Sequence, residues 1–179
     1  MDPIKAVCHR GYLPAYRRSG FRKESEIKWI VLHSTEGGTA ESVARWFTSP
    51  NAGGSTHLVV DDKECQRCLD NTTVSWGAEG ANRYGFHIEQ CGFAKWSKDE
   101  WLMHRKTLER AAYKTALHCK KFGIPPIFRT AAGLKRGYRG ITTHVECSAA
   151  FGGSHWDPGK GWPRTVFMSM VKGYLEEMK

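Results

Sequence analysis

Two histidines and an aspartate, His33, His144 and Asp157, are of the right types for a zinc site with an open corner, although they lie far apart in the chain. Nitrogen and oxygen donors from three side chains leave the fourth tetrahedral position to water, the catalytic rather than the structural arrangement. His33 closes the apolar run "KWIVLHS" and His144 closes "GITTHV". Asp157 stands in the turn-rich loop "GGSHWDPGKGWP", two residues after His155. A divalent ion held this way lowers the pKa of water to about 7 and supplies a nucleophile at neutral pH. Each residue alone is an ordinary polar side chain; the chemistry depends on their meeting.

The elements that must bring them together are legible in outline. Ile30, Val31 and Leu32 form an unbroken apolar run, as in a central strand covered on both faces, so His33 falls at a strand's C-terminal end. The strand predicted around "GITTHV" places His144 at a second such end, and ends of this kind are where sites collect in α/β sheets. "YGFHIEQ" alternates, which turns Phe86 and Ile88 to one side and His87 and Glu89 to the other. "STHLVVDD" reads as a further strand, with a weaker one reaching Cys68 and Leu69. Between them the spacing of Ala40, Val43, Ala44 and Phe47 predicts a short helix capped by Thr39. A long helix is expected from about Lys98 to Phe122, with Ser97 and Glu100 as its capping box and Gly123 and Pro125 as its stop. A last helix is expected from Pro163, with Val166, Phe167, Met170, Val171 and Tyr174 along one face. Strands mixed with helices, without repeat or linker, point to one three-layer α/β domain over residues 1–179, with about 1–27 packed irregularly on it.

The composition narrows the function. A chain of 179 residues that is 40% hydrophobic and carries seven Trp can bury a core without staples. No apolar run approaches the ~20 residues of a membrane span. The N-terminal "MDPIKAVCHRGYL" lacks the apolar stretch of a signal peptide, so synthesis in a cytoplasm is expected. The formal charge of +9 favours polyanionic partners, either nucleic acid or anionic wall polymer. No recognition helix or zinc-finger spacing accompanies the charge, which weighs against nucleic acid. The six cysteines lack the regular spacing of a disulfide scaffold, and most are expected to be reduced. Cys65 and Cys68 form a lone Cys-x-x-Cys with no second pair to make a zinc knuckle.

The ordered segments "IVLHST", "STHLVV", "GFHIEQCG" and "TTHVECSAAFGGSHWDPG" resemble the zinc-dependent N-acetylmuramoyl-L-alanine amidases of type 2, relatives of the peptidoglycan recognition proteins, over about residues 28–163. The resemblance implies a central mixed β-sheet flanked by helices and one zinc ion on His33, His144 and Asp157. Cys147 is a fallback ligand, but it follows His144 too closely. The resemblance also implies that Glu89 is the catalytic acid/base and that His155 steadies the developing oxyanion. Many relatives have Trp-His-Ala-Gly where this chain reads Trp76-Gly77-Ala78-Glu79, so a histidine contact to substrate is absent there or supplied by His57 or His87. Trp76, His57 and His87 are therefore expected to line the substrate. The activity implied is hydrolysis of the bond between N-acetylmuramic acid and L-alanine in peptidoglycan, by a monomeric phage endolysin module acting on the bacterial wall. A cytoplasmic amidase recycling muropeptides would carry the same site, and a peptidoglycan-binding module without catalysis is the alternative class.

Overall fold

The computed structural model describes residues 2–6, 8 and 14–179. Strand β1 (Arg18–Phe21) precedes β2 (Trp29–Ser34), helix α1 (Ala40–Phe47), β3 (Leu58–Val60), β4 (Cys65–Arg67), β5 (Thr73–Ser75) and β6 (Gly85–Gln90). Helices α2 (Lys98–Met103), α3 (Arg105–Phe122) and α4 (Ala131–Lys135) follow, then β7 (Gly140–Thr143), α5 (His144–Phe151) and α6 (Arg164–Glu177). Five strands form a mixed sheet in the order β4-β3-β6-β2-β7. β2 runs parallel to both β6 and β7, β3 runs parallel to β6, and β4 is antiparallel to β3.

Helices cover both faces, giving the three layers expected. On one face Phe86 and Ile88 of β6, with Ile30 and Leu32 of β2, pack against Leu108, Ala112 and Phe167 of α3 and α6. On the other face two smaller clusters stand apart: Val59 with Ala40 and Ala44 of α1, and Trp29 and Val31 with Leu134 of α4 and Cys147 of α5. The polar site fills the gap between those two clusters.

Local signals explain most boundaries. Thr39 and Ser97 cap α1 and α2, each accepting from the backbone N–H three residues on. Gly123 ends α3 in the left-handed conformation that glycine adopts without a Cβ penalty. The long helix expected over 98–122 is broken at His104, whose ring stacks flat on Trp96 with centroids 4.4 Å apart, so it forms α2 and α3. The edge strand β4 is Cys65–Arg67, ending just before the stretch around Cys68 and Leu69 expected from sequence.

The N-terminal segment is less irregular than its sequence implies. Arg18–Phe21 pairs antiparallel with Thr73–Ser75 in a separate two-stranded sheet, although every residue of the strand is exposed and offers no apolar period. Residues 1, 7 and 9–13 of that segment lie outside the described residues. Cys65 is bonded not to its neighbour but to Cys8, while Cys68, Cys91, Cys119 and Cys147 are free and buried. The pairing joins the N-terminal segment to β4 across 57 residues, which Cys-x-x-Cys spacing cannot reveal.

Candidate metal centre and active site

Parallel pairing assembles the site from strand ends. His33 is the last residue but one of β2 and lies in register with Glu89 of β6, while Leu32 is in register with Thr143, so His144 follows directly beyond β7. His144 is the first residue of α5, and its neighbour Val145 donates its backbone N–H to the carbonyl of Asp157 at 3.0 Å. This bond ties the Asp157 loop to the helix that carries the second histidine.

The three donors converge. His33 Nδ1 is 3.1 Å from His144 Nδ1 and 3.2 Å from Asp157 Oδ2, and His144 Nδ1 is 3.0 Å from Asp157 Oδ1. Donors about 2 Å from a tetrahedral zinc lie roughly 3.3 Å apart, so the spacing matches that of a coordination shell. Two imidazole nitrogens and a carboxylate facing one another out of water need shared protons or a cation between them. Among the described residues this is the one group of three or more such side chains whose donor atoms lie close enough to hold a metal.

The electrostatics agree with that donor set. Burial works to raise the Asp157 carboxyl, but hydrogen bonds from His144 and His33 outweigh it and hold the group well below the usual carboxylate range. Burial lowers His144 against the opposing pull of Asp157, which favours the neutral ring that a metal requires. Glu89 behaves oppositely. Burial, followed by the charges of Asp157 and Glu36, raises its carboxyl well above the usual range, and its Oε2 is shielded from solvent without a hydrogen-bond partner. A carboxyl of that kind can both take and return a proton at neutral pH.

A cleft of about 810 Å³ opens onto these residues, lined by His33, His144, Asp157, Glu89, His155 and Trp76 among others. His155 is exposed, stacks on His144 with centroids 4.2 Å apart, and has Nδ1 3.8 Å from Asp157 Oδ1. Trp76, 42% exposed, forms part of the wall; its indole N–H donates to Ser19 Oγ and Arg17 lies over its ring at 5.4 Å. Two of the expected substrate-lining residues do not reach the cleft. His57 and His87 are fully buried, because the face of β6 that carries His87 is covered by the loop at residues 76–78 and His57 lies behind it. Cys147 is buried on α5 and is not part of the donor cluster.

Other residues of the cleft gave no signal in the sequence. Asn82 Oδ1 accepts the backbone N–H groups of Gly77 and Ala78 at 2.8 and 2.7 Å and so shapes the wall beside Trp76. Glu36, at a positive φ of 57°, accepts from Ser34 Oγ and from the backbone N–H of Ala94, both at 2.8 Å. Its place just beyond a strand's C-terminal end is the one cue that could have pointed to it.

An open cleft over convergent nitrogen and oxygen donors at the C-terminal ends of parallel strands makes this a candidate metal-binding active site. Residues 23–160 match the family model described as N-acetylmuramoyl-L-alanine amidase, and the chain belongs to that family. No curated protein sequence matches it significantly. Among solved structures, it is similar in fold to the Staphylococcus aureus hydrolase AmiA in complex with its ligand, at 17% identity and a TM-score of 0.71 over 97% of this chain and 87% of that one. It is also similar to the PlyG catalytic domain, at 20% identity and a TM-score of 0.61 over 89% and 87%. A selenomethionine derivative of AmpD aligns at 15% identity and a TM-score of 0.59 over 93% and 99%. No helix among the described residues is long and apolar enough to cross a membrane.

Proposed function

We propose that the chain is a zinc-dependent amidase that hydrolyses the bond between the lactyl group of N-acetylmuramic acid and the L-alanine of the stem peptide, as a monomeric wall-lysis enzyme of a bacteriophage. The observation that carries this reading is the close approach of His33, His144 and Asp157 beneath an open cleft, with Glu89 beside them. These three side chains would hold the ion, which supplies Lewis acidity and an acidified water at the scissile carbonyl. Glu89 takes the proton of the attacking water and returns it to the leaving amine of L-alanine. His155, exposed at the rim and stacked on His144, donates to the oxyanion, and one such donor is typically worth about 3 kcal/mol. Trp76 offers an apolar wall to the glycan or peptide. The excess of 27 Lys and Arg over 18 Asp and Glu favours approach to anionic wall polymer.

A module that only binds peptidoglycan has no use for converged donors and a shielded carboxyl. The decisive experiment incubates purified sacculi with the metal-stripped chain and with the chain refilled with zinc. The expected result is release of peptides with new L-alanine amino termini only after refilling. Wall binding without release in the presence of zinc overturns the proposal.

A further inference from the structure

Behind His33, on the side away from the cleft, lies a second imidazole that the proposed reaction does not use. His33 Nε2 is 3.0 Å from His87 Nδ1, with the ring centroids 5.2 Å apart. The slot that admits the His87 ring exists because two neighbouring residues lack side chains. A Cβ on Gly77 would overlap His87 Nδ1, and one on Gly85 would lie 2.6 Å from Nε2. The backbone beneath is held as well: the His87 N–H donates to His57 Nδ1 at 3.0 Å, and His57 Nε2 donates to the carbonyl of Thr73, also at 3.0 Å.

Proton placement follows from these contacts. His33 points Nδ1 at His144 and Asp157, so a cation there requires Nδ1 to be bare and puts the ring proton on Nε2. That N–H is buried, and His87 Nδ1 is the acceptor placed to receive it. His87 then carries its own proton on Nε2, a buried atom with no hydrogen-bond partner. Metal-bound histidines usually donate their second N–H to a carboxylate, a carbonyl or water. Here a buried, uncharged imidazole fills that place, and the ring of His33 cannot rotate without losing its acceptor.

We infer that His87 is a positioning residue for the metal centre: it accepts from His33 Nε2–H, fixes that ring's tautomer and rotation, and occupies a slot opened by Gly77 and Gly85. The inference rests on the metal reading given above. It is tested on the full chain by zinc affinity, measured by competition with a chromophoric chelator, together with imidazole 15N NMR of the zinc-loaded chain. His87→Leu keeps bulk but removes the acceptor and should weaken zinc binding by about 10- to 100-fold. His87→Asn returns an acceptor oxygen near the Nδ1 position and should recover most of the loss. A purely structural role would penalise both variants alike. Gly77→Ala, which displaces the ring without altering any donor, should also weaken zinc binding, and combining it with His87→Leu should add little. The NMR spectrum should show His33 protonated at Nε2 in the wild type. A wild-type chain that binds no zinc refutes the metal reading. Zinc binding of equal strength in the wild type, His87→Leu and Gly77→Ala overturns the positioning role.

Discussion

Strand β6 shows two opposite ways of filling space. Phe86 and Ile88 turn into a mainly apolar layer against α3 and α6, in which the neutral ring of His118 is stacked on Phe86. His87 and Glu89, on alternate positions of the same strand, turn into a layer of imidazoles and carboxylates with two shielded polar atoms left unpartnered. The first face gains from burial at roughly 25 cal/mol per Å² of apolar surface. The second gives up part of that gain to hold titratable groups out of water, where their interactions are strongest. One face supplies stability and the other borders the candidate site, and a strand of six residues separates them.

If the division is real, damage to each face should be read by different instruments. The largest effect is expected from His144→Ala, which removes a donor and should take zinc content and amide hydrolysis to background while the fold survives, as metal analysis and circular dichroism would register. Glu89→Gln should retain zinc but lower turnover on sacculi by about 10²- to 10⁴-fold; an undiminished rate would remove Glu89 from the reaction. Phe167→Ala, in the opposite layer, should cost about 3–5 kcal/mol in urea unfolding while leaving zinc affinity below the transition unchanged. Weakened zinc binding in that variant would show that the faces are coupled.

The smallest effect concerns pH. His118, stacked on Phe86 with centroids 4.1 Å apart, has its pKa lowered from 6.5 to about 4, chiefly by burial. Its folded form stays neutral where the unfolded chain binds a proton, so its contribution to stability is complete above pH 6.5 and is lost as the pH falls towards 4. The loss should reach about 2 to 3 kcal/mol by pH 4.5. His118→Phe should flatten that part of the unfolding profile, and an unchanged slope would assign the acid sensitivity to the histidine-rich face instead.

The convergence of His33, His144 and Asp157 was legible in part because two of them close apolar runs that end abruptly. The alternation of β6 correctly separated Glu89 from the core, and the caps at Thr39 and Ser97 were readable from side-chain chemistry alone. What alternation cannot tell is whether the second face is covered. His57 and His87, which the resemblance offers as substrate-lining, are both sealed behind His33. Helix α5 was hidden for another reason: only His144 and Cys147 of its eight residues are buried, so "HVECSAAF" shows no apolar stripe. Strand order and the Cys8–Cys65 pairing depend on contacts between distant parts of the chain, which no local pattern encodes.

The loop that carries Asp157 is seated against the turn at residues 92–97. A Cβ on Gly159 would run into the backbone of Ala94, and one on Gly161 into that of Trp96, while the Ala94 N–H is itself held by Glu36 just beyond β2. The third candidate ligand is thus moored to the strand that bears the first, with no flexible arm between them. Such a centre should behave as a rigid socket: chelation and reloading would cycle with little change in hydrodynamic size or amide exchange, and the chain would tolerate scarcity of its ion without unravelling.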